Sequence, residues 1–462
     1  MHNGPIPFYA TAMTASRNTR ALTEDVKPRE VWAWAMYDFA NSGYTTVVIT
    51  AVFNAYFVAV VAQRAPWATL AWTATLAVSY ALIVLTAPLV GAWADARAAK
   101  KRLLAFTTIG CVVFTAALYF TGPGTLAVAV VCVIASNFFF GTGENLIAAF
   151  LPELAKSRAM GRVSGWGWSL GYLGGLLSLG ASLVWLTQAK AAGRETAQVV
   201  PETMLITAAL FAIASLPTFL FLRERAMPQA PAGGIAHTAW SRLAATLHHA
   251  RRFRDLSRFL LCTLFYQAGI AAVITLAAIY AQEAMKFTTH DTLVLILVVN
   301  LTAAFGAFGF GYLQDRIGHV RAIALTLCGW ILMVVLAYLA EGAALFWVAA
   351  NIAGLCMGAS QSAGRAMVGY LAPPSRLAEF FGLWGFAVKL ASIFGPLTYG
   401  LANWLSGGDH RQAILFTGAY FVVGLLLLAG IDMVRGRRSA LRSDREERKS
   451  AGITAAARPA AG

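Results

Sequence analysis

Four ionisable side chains sit deep inside long apolar runs of this sequence: Asp38, Glu144, Arg365 and Lys389. A charge at the centre of a bilayer costs about 2.5 kcal/mol or more, so each needs a partner or a task. Two are acids and two are bases. That balance suits a ligand carrying both signs, and equally suits two ion pairs, Glu144–Arg365 and Asp38–Lys389, that join helices. Asp38 and Asn41 are three residues apart and share a helix face. Gln361 with Arg365, and Asn137 with Glu144, also share faces, and Asn145 adjoins Glu144. Asp38, Asn41, Glu144, Asn145, Gln361, Arg365 and Lys389 are therefore the candidate binding or coupling residues. Arg365 or Lys389 would hold a carboxylate or another anion. Asp38 or Glu144 would hold an amine, or carry a coupling proton. All seven histidines lie outside the apolar runs.

The elements that position these groups are read from composition and hydropathy. Of 462 residues, 58% are hydrophobic and only 12% charged, about half the charge of a soluble globule. Twelve runs are long enough to cross a bilayer, which takes about 20 residues each. They cover 31–61, 69–94, 103–121, 125–151, 164–187, 203–222, 258–282, 291–313, 320–339, 343–372, 380–404 and 413–433. Backbone groups in lipid must be satisfied within the segment, so these are helices. At about 1.5 Å per residue, the four charges lie about 10–15 Å from the tail-side ends of their spans and form one layer. The long break divides the spans six and six. The expected organisation is a disordered tail 1–30, a six-helix bundle 31–222, a linker 223–257, a second bundle 258–433 and a disordered basic tail 434–462. Within the linker, Trp240, Leu243, Leu247 and Ala250 recur at helical spacing among arginines, which predicts a surface amphipathic helix.

The net charge of +15 does not indicate nucleic acid, because of where it lies. Only Arg64, Lys190, Arg194, Lys286 and Arg411 fall on one side of the twelve spans, while the opposite loops and both tails hold almost all the rest. This is the positive-inside pattern, with both termini cytoplasmic in a plasma or inner membrane. Cys111, Cys132, Cys262, Cys328 and Cys356 all lie within spans without a CxxC pair, so neither disulfides nor a metal are expected. No H-E-x-x-H, G-x-S-x-G or Walker pattern occurs, which argues against an enzyme and against direct use of ATP. No cofactor is expected.

The halves resemble each other. After the second span stand Gly91, Asp95, Arg97, Lys100 and Lys101; after the eighth stand Gly311, Asp315, Arg316, Gly318 and Arg321, at an offset of 220 residues. This repeat resembles the hallmark motif of the major facilitator superfamily, Gly-x-x-x-Asp-Arg-x-Gly-x-basic-basic. The first copy has Ala96 for the Arg and Ala98 for the second Gly, and the second has Val320 at a basic position. The ten residues form a candidate conformational latch: the glycines allow close helix approach, and the basic residues bind acidic groups across the halves. A second offset, 221, places Leu151-Pro152 on Ala372-Pro373 and Glu144 on Arg365. The resemblance implies an all-α fold of twelve helices in two pseudo-symmetric bundles, with spans one, four, seven and ten lining a central cavity, and a monomer.

More specific strings narrow the resemblance. They are Tyr37-Asp38-Phe39-Ala40-Asn41-Ser42, Leu151-Pro152-Glu153-Leu154, the glycine-rich start of the fifth span from Gly161 to Gly175, and Glu379-Phe380-Phe381-Gly382. Together they resemble the unknown-major-facilitator family, which includes the autophagy-related vacuolar amino-acid effluxers. That resemblance implies a secondary transporter that exports or exchanges a small metabolite, amino acids being the best-known case; any proton coupling would fall on Asp38 or Glu144. The alternatives are transport of another small anion or amphiphile, and a non-transporting receptor or scaffold. In the seventh span, Gln267-Ala268-Gly269 departs from the family, which more often has acidic or amide residues before the Gly. Gly167, Gly171, Gly174 and Gly175 are expected to serve close helix packing.

Overall fold

The computed structural model describes residues 22–23, 25–154, 160–225, 251–373 and 377–456. All twelve expected spans are present: α1 (Pro28–Val61), α2 (Ala68–Arg97), α3 (Lys100–Ala117), α4 (Leu126–Ala148), α5 (Met160–Ala191), α6 (Thr196–Phe221), α7 (Arg254–Glu283), α8 (Thr289–Ile317), α9 (His319–Leu339), α10 (Ala343–Leu371), α11 (Leu377–Leu405) and α12 (His410–Ala429). Each is long and apolar enough to cross a membrane. Outward side chains such as Phe106, Leu220, Phe305 and Leu426 are 62 to 71% exposed, which is tolerable only against lipid. An even number of crossings puts both chain ends on one face, the terminal face below; the other is the far face.

Packing repeats between the halves. In the first, α1 packs most closely on α5, α6 on α1, and α4 on α2 and α3. In the second the equivalent pairs are α7 with α11, α12 with α7, and α10 with α8 and α9. The α1–α5 contact depends on the glycine stripe. A methyl group at Gly174 would collide with the Phe39 carbonyl, and one at Gly167 with the Asp38 carboxylate. At the equivalent contact in the second half, Gly395 meets the Ala268 carbonyl. Between the halves the pairing is unequal, with α2 against α11 far more extensive than α5 against α8.

Helix α1 is irregular. Thr45–Ala51 and Phe57–Val61 are wound as π-helix around a short α-helical turn, Phe53–Tyr56. Such wide turns usually occur at functional positions because they re-aim neighbouring side chains. Here they aim Asn54 across to the second half. It is fully buried, and its Nδ2 donates to Thr275 O at 2.9 Å and to Thr50 O at 2.8 Å.

Two expectations about the tails are corrected. Residues 434–456 are not disordered: they belong to a helix, α13 (Met433–Ala456). Asp432 Oδ1 caps it by accepting from Val434 N and Arg435 N, both at 2.9 Å. Arg435 makes a two-pronged bond to Asp255 of α7, at 2.8 and 2.6 Å, and Ala440 is fully buried. The basic, Ala-rich composition that suggested disorder also favours helix, and docking on α7 and α10 fixes it. Before α1, Leu22 is buried and Thr23 N donates to Leu154 O, so the end of the 1–30 tail packs on the first bundle. The amphipathic linker helix falls at 226–250, outside the described residues.

Both motif loops turn on a residue of positive φ, though not in the same conformation. Gly318 has φ +86° and ψ 159°, which glycine alone adopts readily, and Ala98, where the motif has its second Gly, is left-handed at φ +47° and ψ 52°. Left-handed backbone is free for glycine and costs an L-residue about 1 kcal/mol. Ala98→Gly is therefore expected to stabilise the protein by about 1 kcal/mol, read as a higher melting temperature in detergent, whereas Gly318→Ala lowers it. No change on Ala98→Gly would show that the loop relaxes around the alanine.

Candidate functional site

A cavity of about 300 Å³ lies between the halves. Its polar wall comes from α1 (Asp38, Asn41, Ser42), α4 (Glu144), α8 (Asn300) and α10 (Gln361), and the rest is mostly apolar. The string Tyr37-Asp38-Phe39-Ala40-Asn41-Ser42 divides its labour by helical geometry. Tyr37 turns inward and its hydroxyl bonds Thr108 of α3 at 2.8 Å, while Asp38, Asn41 and Ser42 face the cavity. Asn41 is 6% exposed, and neither its amide nitrogen nor its oxygen has a hydrogen-bond partner. Leaving such a group unpaired costs about 1–3 kcal/mol. Opposite it, Gln361 accepts from Gln267 Nε2 of α7 at 3.2 Å. The seventh-span amide thus contributes by orienting Gln361, although its sequence context gave no reason to expect this.

Glu144 forms an ion pair with a lysine of the other half. Lys389 Nζ of α11 binds Glu144 Oε2 directly. The ammonium also lies 6.0 Å from the Tyr80 ring of α2. Lys389 therefore crosses from the second half into the first, between α2 and α4. The expected Asp38–Lys389 pair is absent among the described residues, and Lys389 serves Glu144 instead. The reason is helical placement: the strong α2–α11 contact brings Lys389 to the α4 side of the cavity, away from α1. Arg365 is on α10, but its side chain lies outside the described residues. Asn145 is exposed and does not line the cavity, since a one-residue step from Glu144 turns it about 100° away.

The latch residues are placed differently from expectation. A Cβ at Gly91 would meet nothing within 4 Å, so close helix approach does not occur there. The described partners of Lys100 and Lys101 all lie in the first half. Lys100 Nζ pairs with Glu153 at 3.1 Å, and Lys101 Nζ donates to Leu222 O at 2.6 Å. Glu224 accepts from the backbone amides of both, capping the positive N-terminus of α3. Glu153 also accepts from Arg225 N, and Arg225 pairs with buried Glu30 at 2.9 Å. This network fastens α1, α3, the end of α4 and the exit of α6 into one body on the terminal face. Arg97 stacks over Trp93 of its own helix, 4.8 Å from the ring, while Arg316 and Arg321 are exposed. Gly318 turns the chain between α8 and α9. Asp95, Gly311 and Asp315 lie outside the residues whose side chains are described. Sequence reasoning flagged Leu151-Pro152-Glu153-Leu154 but missed its role. A carboxylate beside a run of lysines was the available signal.

Comparison with known proteins agrees with this architecture. The family described as "Vacuole effluxer Atg22 like" matches residues 68–441. An uncharacterized MFS-type transporter of Bacillus subtilis, YxiO, is 27% identical over 86% of this chain and 93% of its own. Autophagy-related protein 22-1 of Penicillium rubens is 26% identical over 64% of this chain, which spans about half of that longer protein. Among solved structures, the nucleoside transporter NupG superimposes with a TM-score of 0.67 at 14% identity, covering 86% of this chain and 98% of NupG. A D-xylose–proton symporter does so with 0.64 at 16%, covering 88% and 99%. These likenesses carry the twelve-helix transporter fold. They give no support to a plasma-membrane location, since the family description names the vacuole.

The Glu144–Lys389 pair gives a direct expectation. Replacing one partner strands the other in a largely apolar cavity wall. Glu144→Gln and Lys389→Gln should each destabilise the protein, and the double variant should recover part of the loss. Equilibrium unfolding of the four proteins is expected to give a coupling of about 1 kcal/mol or more. Additive losses would show that the two groups do not depend on each other.

Proposed function

The chain belongs to the Atg22-like vacuole effluxer family and is an MFS-type transporter, and on that premise we propose that it exports or exchanges a small zwitterionic metabolite, an amino acid, by alternating access. The observation that carries this reading is Asn41. It is a buried amide with both polar atoms unbonded, in a cavity also lined by Asp38 and by Glu144, the partner of Lys389. A zwitterion matches all three. Its carboxylate competes with Glu144 for Lys389, its amine is drawn to Asp38 or to the Glu144 that has been released, and Asn41 supplies a donor and an acceptor. Binding would thus break the ion pair between the halves and free them to rock about the midplane. Asp38 or Glu144, the carboxylates that line the cavity, would carry any coupling proton.

The charge asymmetry of the loops supports placing both termini in the cytoplasm. The network around Lys100, Lys101 and Glu153 supports a latch that acts by keeping the first half rigid on that face. A second reading is a small organic anion or amphiphile. It is favoured by the largely apolar lining, in which Trp330, Met333, Phe346 and Met357 take part, and a human organic anion transporter shares the fold with a TM-score of 0.61.

The test is counterflow of a labelled amino-acid panel in proteoliposomes, with orientation read from a tag after Trp67. That tag is expected only on the face opposite the termini. Wild type is expected to show saturable exchange, and Asn41→Ala and Arg365→Gln to lose it by about tenfold or more, equivalent to about 1.4 kcal/mol. If folded wild type exchanges no amino acid, the zwitterion reading is wrong and anions or amphiphiles become the substrates to test.

A further inference from the structure

Behind the far wall of the cavity stands a histidine, His410, bonded to the wall residue Tyr399. Tyr280, Phe346 and Tyr399 form the wall there. Tyr399 is 3% exposed, and its hydroxyl meets His410, the first residue of α12, at two atoms: Nδ1 at 3.0 Å and the backbone oxygen at 3.4 Å. His410 is only partly exposed, and it opens α12 on the far face. It therefore touches the outside with one edge and the cavity wall with the other. No histidine was expected to take part in transport, because every one lies outside or at the margin of an apolar run.

The charged and titratable groups around it are few. From α7 come Tyr280 and Glu283; Lys286 follows in the turn; α11 gives Tyr399; and α12 itself gives Asp409 and Arg411. Asp409 is engaged as the α12 cap, accepting from Arg411 N and Gln412 N at 2.9 and 3.2 Å. Glu283 has a different commitment. It pairs with Arg64, which follows α1 in the other half, at 3.2 Å. With Asn54–Thr275, that pair ties α1 to α7 on the far side.

We propose that His410 is a far-face proton site that governs opening of the cavity to that side. With neutral imidazole, Tyr399 donates its hydroxyl proton to Nδ1. When a proton from the far side adds to His410, Nδ1–H becomes the donor to Tyr399 Oη, and the tyrosine hydrogen turns to the His410 carbonyl. The contact between α11 and α12 thus survives both states. What changes is the charge at the start of α12, which packs on α7, the helix that ends at Glu283. An imidazolium competes with Arg64 for that carboxylate, and an exposed pair such as Arg64–Glu283 is worth at most about 1 kcal/mol, so it yields easily. Loss of that tie loosens the two halves on the far side. The coupling runs both ways, since a conformation that opens there must also bind the proton more tightly.

The inference concerns proton binding and rests on the transporter reading only through the rocking of the halves, so its test needs no substrate. Cysteines replace Trp67 and His290, one on each half at the far face, in protein whose five native cysteines are serine. Spin labels there report the separation of the halves in liposomes. Acidification from about pH 8 to about pH 4 is expected to increase the long-distance population. The change is up to about tenfold for each unit by which the two conformations differ in proton affinity. His410→Gln, which keeps a polar side chain, should abolish the response. Tyr399→Phe, which keeps the packing, should shift its midpoint, and Glu283→Gln should favour the separated state at every pH. A response that persists in His410→Gln, or no response in the protein that retains His410, would overturn the proposal. Either result leaves the amino-acid counterflow outcome untouched.

Discussion

A charge inside a bilayer has to be answered by another group, and this molecule's central architecture follows from that requirement. Lys389 lies deep in an apolar helix. It is stabilised by crossing to the other half, where Glu144 takes the ammonium and the Tyr80 ring lies 6.0 Å away. The same pair that satisfies both charges joins the halves. Any ligand able to satisfy them separately can part the halves without leaving a charge bare. On the function proposed, electrostatic necessity in the fold becomes a means of control in the cycle. Elsewhere the same rule gives static results: Glu30 with Arg225, and Asp255 with Arg435, fasten helices within a half on the terminal face.

The second constraint is close packing. Helices in lipid gain little from apolar burial, so backbone approach must supply the contact. Gly174 against Phe39 and Gly395 against Ala268 give it at equivalent places in the two halves. Between the halves, Gly400 gives it again where α11 meets Leu70 and Thr73 of α2. The α5–α8 seam is slighter, so the halves hold together mainly along α2 and α11. Lys389 projects from that tighter seam into the cavity wall, so its engagement with Glu144 senses both the seam and the contents of the cavity.

Much of this was legible in the residues. Long apolar runs fixed the number and order of the spans, because hydrocarbon thickness sets a length that few other structures demand. Asp38, Asn41, Glu144 and Gln361 were identifiable as cavity residues from their polarity alone. Who pairs with whom was not. Lys389 was assigned to Asp38 and serves Glu144 instead, because an ion pair depends on helix rotation and on unequal seams, neither of which a one-dimensional reading encodes. Asn145 shows the same limit, since one residue turns a side chain out of the site. The motif lysines were visible, yet their partners Glu153 and Glu224 lie 53 and 124 residues away from Lys100. Helix α13 was misread as disordered because its stability comes from Asp255, a residue on another element. His410 was set aside because it stands at a span margin, where sequence cannot tell an exposed ring from one packed on the cavity wall.

The central claim is that the Glu144–Lys389 contact must open during each transport cycle. The direct measurement is exchange by a Glu144→Cys, Lys389→Cys protein, otherwise free of cysteine, before and after bridging with a short, reducible dithiol linker. The account predicts that bridging halts exchange and that reduction restores whatever exchange the unbridged variant retains. Undiminished exchange through the bridged protein would contradict it, because the halves would then be shown to cycle without parting at that point.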